Sequence, residues 1–564
     1  MSRWLFALYH PVVAFAVRFR KTMVVAAALV MALSFPVFTK LGSEFMPPLN
    51  EGTLLYMPTA LPGLSVTEAR QVLQAQDQLL KRFPEVETIF GKIGRSNSPT
   101  DPAPLNMVET VVTLKPPEAW RKVPVERGYS SWVPAWLKPP LNGLWPEERS
   151  VTWDELLKEM DRTLKFPGMT NIFWMPIQTH TEMLATGIRS VLGIKAFGPD
   201  LESIEQAGLR IEAVLAPLRG TRSVYYDRAV GGYYLDFEVR RAEAARYGLT
   251  VGDIQDIIET AIGGKNITWT VEGRERYAVN LRYPRELRDD VEKLKRILVD
   301  TPAGVHVPIG QLADIRYTSG PPMVRDEDAQ LVGYVFVDVV GRDLGGYVAE
   351  AKQTVAERIE LPPGVHLAWA GQFRYLERAK EKLMIIVPFT LLLVFVLIYL
   401  NTGSVTKILI VFLAVPFSLV GAVWLLYLLD YHLSVAVWVG LIALAGLDAE
   451  TGVVMLLYLD LAYEQMKREG RMKRFADLKE AVMQGAVKRI RPKMMTVMAI
   501  LVGLLPVMWS SGTGADVMKR IAAPMLGGVI TSAILELLIY PAIYTLWKWR
   551  WEVRLALGSQ AREV

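Results

Sequence analysis

Six apolar runs, one near the start of the chain and five crowded at its end, constrain this sequence more than any other feature. They lie at about Thr22–Phe38, Leu383–Leu400, Ile408–Leu429, Leu433–Leu459, Met494–Trp509 and Ile521–Trp547. At about 1.5 Å of rise per residue each approaches the ~30 Å of a bilayer's hydrocarbon, the first and fifth at the short end. The expectation is a multi-pass α-helical membrane protein of six spans, with the stretch from about Gly42 to Arg378 outside the membrane. A chain that is 51% hydrophobic and only 21% charged suits such a mixture of spans and soluble domains. The first run reads as a span and not a signal peptide, because a long amphipathic stretch precedes it and no small-residue cleavage site follows.

Lysine and arginine set the orientation. Arg3, Arg18, Arg20 and Lys21 precede the first run, Lys467 to Arg491 between the fourth and fifth runs is strongly basic, and Lys548, Arg550 and Arg554 follow the sixth. Six spans put all three on one side, so both termini are expected in the cytoplasm and Gly42–Arg378 in the periplasm of a Gram-negative cell. The net charge of +5 matters less than this placement, and there is no cysteine, hence no disulfide and no thiolate metal site.

The exported stretch alternates strand and helix patterns. Leu54–Met57, Val86–Phe90, Met107–Leu114 and Asn171–Ile177 read as strands, with helices at Val66–Phe83, capped by Ser65 or Thr67, and at Trp153–Leu164. That order is β-α-β-β-α-β, the split unit of ferredoxin-like domains. A second unit begins with Val191–Phe197, Leu201–Leu218 and Ser223–Asp227, and resumes at Leu331–Val340, Gly345–Ile359 and His366–Ala370. Between them, about Gly231–Gly320 carries its own strands and helices and reads as an insertion. Trp120–Arg149, rich in Pro and Trp, reads as a surface loop.

Ionisable residues inside apolar runs are costly and commonly mark a pathway. Asp448 and Glu450 lie within the fourth run and Glu536 within the sixth. Two residues on a helix are about 200° apart, so Asp448 and Glu450 face opposite sides. Lys493 opens the fifth run, and by itself reads first as a lysine snorkelling to the boundary. Among 22 methionines, each is first of all a core residue, although thioether sulfur is also a soft ligand for Cu(I) and Ag(I). The five histidines are dispersed, and no phosphate loop or hydrolytic triad is present, which disfavours an ATP-driven pump or a metalloenzyme.

Local strings add a resemblance. Gly42-Ser-Glu-Phe-Met-Pro-Pro-Leu-Asn-Glu-Gly52, Ala244-Ala-Arg-Tyr-Gly-Leu-Thr-Val-Gly-Asp253, Gly371-Gln-Phe373, Ala443-Leu-Ala-Gly446 with Glu450, and Arg491-Pro-Lys493 resemble stretches of the heavy-metal branch of the resistance–nodulation–division (RND) transporters. The similarity is greatest to the monovalent copper and silver pumps of the CusA/SilA type. It implies the C-terminal half of a proton antiporter, with the N-terminal half either a separate chain or lost. It also implies an inner-membrane homotrimer docked to a periplasmic adaptor and an outer-membrane channel, surrounded by lipid, with no nucleic acid and no cofactor beyond the transported Cu(I) or Ag(I).

On this resemblance the chain divides into a cytoplasmic amphipathic segment 1–21, a span at 22–40, a porter subdomain at 41–190 and a second porter subdomain at 191–230 with 321–380. A docking subdomain then occupies 231–320, five spans 381–547 and a cytoplasmic tail 548–564. Glu450 and Lys493 match a carboxylate–lysine proton relay, completed by an aspartate of the absent half; Asp448 falls where a small residue is expected, and its role and that of Glu536 stay open. Met57, Met107 and Met183 match a three-methionine metal site. Glu51, Asp101, Glu109 and Arg189 match charged positions of the cleft, His180 replaces a basic residue usual there, and Met518 is a candidate for the path toward the cleft. Three alternatives remain: an inactive remnant of such a pump, an exporter of another substrate in the same superfamily, or an intramembrane aspartyl protease using Asp448 with a second acid.

Overall fold

The computed structural model describes residues 2–47, 49–60, 62–94, 104–125, 147–228, 231–321 and 323–553. Among the described residues, six helices are long and apolar enough to cross a membrane: Arg20–Lys40, Gln372–Thr402, Val405–Leu428, Val435–Arg468, Phe475–Trp509 and the segment Ala515–Trp551. Several outrun the apolar runs that mark them. The stretch read as a basic loop from Lys467 to Arg491 is helical from Phe475 onward, leaving a connection of a few residues after Arg468. Charged side chains do not end a helix, since Lys, Arg and Glu are good helix formers. Hydropathy therefore marks where lipid begins and not where the helix does.

The third, fourth and sixth spans form the packed centre of the membrane region, whereas the second is exposed along its apolar window. Small residues set this packing. A methyl group on Gly421 would meet the Gly527 carbonyl oxygen at 2.1 Å, and one on Gly440 the Ile521 oxygen at 2.4 Å. Close backbone approach of this kind is the usual substitute for a hydrophobic driving force between helices in lipid. The sixth span contains a π-helical turn at Leu535–Ile539, and its widened backbone is met from outside: the Tyr9 hydroxyl, on the amphipathic helix Ser2–Arg18, donates to the Leu537 carbonyl at 2.6 Å.

Outside the spans lie two main antiparallel sheets. In the first, Phe173–Trp174, Thr53–Tyr56, Val108–Leu114 and Val86–Ile93 lie side by side in that order. In the second, His366–Gly371, Leu192–Gly198, Gln330–Val339 and Thr221–Tyr226 repeat the same order of fourth, first, third and second strand, with Asp326–Glu327 added at one end. Helices Val66–Leu80 and Trp153–Thr163 belong to the first unit, Leu201–Leu215 and Leu344–Arg358 to the second. Ser65 caps the first of these by accepting from the Glu68 amide, and Thr152 and Glu155 form a capping box on the second. Strand Val108–Leu114 is central: Val108, Thr110, Val112 and Leu114 on one face are buried, while on the other Glu109 is buried and Val111 and Thr113 are half-buried. Strands Gly232–Val239 and Ala313–Gly320 pair along their full length, closing the ends of the insertion around its own core of Leu249, Ile254, Leu294 and Leu312.

Two local expectations are corrected. Asn171–Ile177 pairs as a strand only at Phe173–Trp174, and a helix starts at Pro176 and runs to Thr186. Proline suits the first helical position, where its missing N–H is not needed, and Gly187 closes the helix in the left-handed region at φ 74°. The segment read as a loop over Trp120–Arg149 begins and ends as a short ladder, Lys122–Pro124 against Glu148–Ser150, and residues 126–146 between them lie outside the described residues.

Candidate functional site

Met57 follows directly on strand Thr53–Tyr56, and its amide donates to the Ile172 carbonyl at 2.9 Å. Met107 leads into strand Val108–Leu114, and Met183 points from the helix Pro176–Thr186. Met183 therefore sits on a helix. The three methionines converge in one small apolar cluster with Leu55 and Val111, Met57 and Met107 buried and Met183 partly so. A cavity of about 320 Å³ opens beside them, lined by Met107, Met183 and a fourth methionine, Met323, with Arg189, Arg325, Tyr334 and Phe336 around it. Met323 follows no periodic pattern in the sequence and was not singled out there.

The charged residues expected around this cleft are placed as follows. Arg189 is buried, donates to the Thr59 hydroxyl at 2.8 Å and lies 4.4 Å from the centre of the Phe336 ring. Burial lowers its proton affinity, and Asp227 at 3.9 Å counters this. Glu109 is buried beside the cluster and is shared between Lys92 at 2.9 Å and His180 Nε2 at 3.4 Å. Glu51 accepts from the Ile177 amide at 3.2 Å, so its charge stands at the positive end of the helix carrying Met183. Asp101 lies outside the described residues. Met518 is exposed in the first turn of the sixth span and takes no part in the methionine cluster.

Glu182, adjacent to Met183, was legible only as part of a motif. Its carboxyl is buried, one oxygen has no partner, and burial pushes its pKa up to about 7.

In the membrane region Asp448 is fully buried and Glu450 exposed, as the 200° between them requires. Lys493 is buried, so it does not snorkel. It is not brought to Glu450: its ammonium lies 2.6 Å from Glu536 Oε1 and 3.2 Å from the Thr451 hydroxyl, which itself donates to Glu536. Among the described residues Lys493 is therefore paired with Glu536. A fully desolvated ammonium needs a counter-charge within reach, and Glu536 is the carboxylate that the packing of the fifth and sixth spans supplies.

The sequence pattern of the AcrB/AcrD/AcrF family matches residues 1–127 and 136–548. The chain is 42% identical over 549 residues to the putative cation efflux system protein SilA of Salmonella typhimurium, covering 97% of this chain and 50% of that protein. It is 42% identical over 558 residues to the cation efflux system protein CusA of Escherichia coli, covering 98% of this chain and 51% of that protein. A crystal structure described as a heavy metal efflux pump superposes with a TM-score of 0.83 at 28% identity, over 97% of this chain and 52% of that one. The chain spans about half the length of the relatives it matches. The reading of it as a C-terminal half alone is corrected accordingly: 97% of it is matched, which is a statement about shared length and not about where the protein begins or ends. With a family match over most of its length and six apolar helices, the chain belongs to the AcrB/AcrD/AcrF family, the RND membrane transporters, which are secondary transporters and not enzymes.

Proposed function

We propose that this chain works in a proton-driven heavy-metal efflux pump that exports a soft monovalent ion, Cu(I) or Ag(I), from the periplasm or cytoplasm. The observation that carries the reading is the convergence of Met57, Met107 and Met183, from three separate segments, beside one cavity. Three neutral thioethers suit a soft, weakly hydrated monovalent cation and are poor ligands for Zn(II). Buried Glu109 and half-exposed His180 stand at the approach to the cluster, and Glu51 orients the helix that carries Met183. Arg189 braces the far wall.

On this reading the region from Gly42 to Arg378 is periplasmic and forms two porter subdomains and an inserted docking subdomain of an inner-membrane protein. The duplicated strand order of the two sheets and the self-closing insertion support that division. Glu450 faces away from the chain's own bundle, and in the proposed pump it meets the remaining length of the relatives, whether in the same or another polypeptide. There it forms a relay with Lys493. Assembly is proposed as a homotrimer with an adaptor and an outer-membrane channel.

Titration of the purified chain with Ag(I) and with Zn(II) tests the metal reading. Tight Ag(I) binding that the triple variant Met57→Leu, Met107→Leu, Met183→Leu abolishes is the expected result. Leucine keeps volume and apolarity, so each site should lose less than about 1.5 kcal/mol of stability. Equal Zn(II) affinity, or unchanged Ag(I) binding in the variant, would refute the reading.

A further inference from the structure

A site for a cation is not expected to be walled by cations, yet the cavity beside Met107 and Met183 is. Among the described residues no carboxylate lines it, whereas Arg189, buried, and Arg325, partly buried, both do. The two guanidiniums share one carboxylate outside the cavity wall, that of buried Asp227, whose Oδ2 lies 2.8 Å from Arg325 and 3.9 Å from Arg189. Arg189 otherwise donates to the Thr59 hydroxyl, and the guanidiniums of Arg189 and Arg325 lie 4.4 and 5.1 Å from the ring centres of Phe336 and Tyr334. The Nε of Arg189 is buried and has no hydrogen-bond partner among the described residues. Neighbouring carboxylates are engaged elsewhere: Glu327 with Lys195 at 2.7 Å, Glu212 with Arg228 at 3.0 Å, and Glu109 with Lys92 and His180. Glu182, next to Met183, is not part of the cavity wall.

Charge counting says what such a wall accepts. Two guanidiniums against one carboxylate leave a positive excess at the cavity before any ion arrives. Arginine does not shed this charge, since its guanidinium stays protonated in proteins. A monovalent cation on the methionines raises the excess further, because thioethers are neutral and the residues packed with them, Leu55 and Val111, are apolar. An anion lying between the guanidiniums and the ion relieves both problems. It accepts charge-assisted hydrogen bonds from arginine, which has a buried donor to spare, and it cancels the charge of the incoming ion. Softness narrows the choice. Phosphate and sulfate pair with arginine but are hard ligands, poorly suited to Cu(I) or Ag(I), whereas a halide or a thiolate serves both partners. The cavity of about 320 Å³ has room for an ion and a small anion together.

We propose that this cavity is a soft-anion site, in which Arg189 and Arg325 hold a halide or a small thiolate that completes the coordination of the monovalent ion. The ion is then taken up together with its anion as an uncharged complex, and the charge of the site is the same before and after loading. Asp227 sets the strength of the site: it holds the two guanidiniums near each other and leaves one positive charge for the anion. The coordination step rests on the metal reading of the methionines, while the grip of the two guanidiniums on the anion does not.

The first measurement uses the full chain in detergent without metal and follows the broadening of the chloride NMR line that the protein causes. Arg325→Met should lower this broadening, because Asp227 then balances Arg189 alone, and Asp227→Asn should raise it. Opposite changes from the two partners of one ion pair cannot come from misfolding, which would move both the same way. The second measurement is Cu(I) affinity of the full chain, with free Cu(I) set by a competing chelator, in nitrate, in bromide and in mercaptoethanol. Linkage is reciprocal, so an anion that binds with the ion should raise Cu(I) affinity over nitrate by about tenfold or more. In bromide, X-ray absorption at the copper edge should show a copper–bromine distance beside the copper–sulfur distances. The larger rise, in bromide or in mercaptoethanol, identifies the anion as halide or thiolate. Unchanged chloride broadening in Arg325→Met, a fall in Asp227→Asn, or equal Cu(I) affinity in all three buffers overturns the proposal. If the chain binds no Cu(I) in any buffer, the metal reading fails, and the metal-free chloride measurement still decides whether the anion site exists.

Discussion

Replacing Glu182 by glutamine isolates the cost of a buried carboxylate beside the methionine cluster. Glu182 sits in the C-terminal half of the helix Pro176–Thr186, and one of its oxygens has no partner. Burial lifts its pKa from 4.5 to about 7. Because the folded state holds this proton more tightly than the unfolded chain, Glu182 costs nothing below about pH 4.5. Its burden grows as pH rises toward 7 and is complete above that. At roughly 1.4 kcal/mol per tenfold change in proton affinity, the burden has a ceiling of about 3 kcal/mol, and water reaching the neighbouring cavity reduces it. Glu182→Gln keeps the shape and removes the charge. It should therefore leave stability unchanged near pH 4.5 and raise that of the extramembrane region by about 1–3 kcal/mol at pH 8. Denaturant unfolding of the intact chain in detergent, followed by tryptophan fluorescence at both pH values, reads this directly. A gain of equal size at both pH values, or a loss at pH 8, would show that Glu182 is not a burdened acid.

Three further outcomes follow from other contacts. Arg222 donates through Nε to buried Asp338 at 2.7 Å, so Arg222→Met should destabilise the second sheet by about 3–5 kcal/mol, and Arg222→Met with Asp338→Leu should recover much of it in the same unfolding assay. A methyl group on Gly527 would lie 2.3 Å from the Gly421 carbonyl oxygen, so Gly527→Leu should separate the third and sixth spans and lower thermal stability in detergent by several degrees. In liposomes holding the assembled pump, Glu450→Gln should abolish metal-driven proton release while Ag(I) binding at the methionines persists, and normal proton flux in that variant would end the proposed Glu450–Lys493 relay.

The spans, the strands and the opposed faces of Asp448 and Glu450 were legible because each is a periodic property of one segment: continuous apolarity for a helix in lipid, alternation for a strand, 100° per residue for a helix face. The cap at Ser65 was legible for the same reason, since it acts on an amide three residues away, whereas the Thr152–Glu155 capping box was not read from the sequence. The helix around Met183 escaped because its apolar residues follow neither period cleanly, and Pro176 and Gly187 mark its ends more clearly than its interior marks its type. The resemblance named Met57, Met107 and Met183, yet only the sheet that carries Met57 and Met107, with the helix that carries Met183, brings them into one cluster. Nothing in the sequence near Lys493 points to Glu536. Their contact depends on how the fifth and sixth spans pack, with Glu536 standing buried on a π-helical turn. Partner choice between distant segments is decided by packing, because a buried charge takes whichever counter-charge the assembled bundle places within reach.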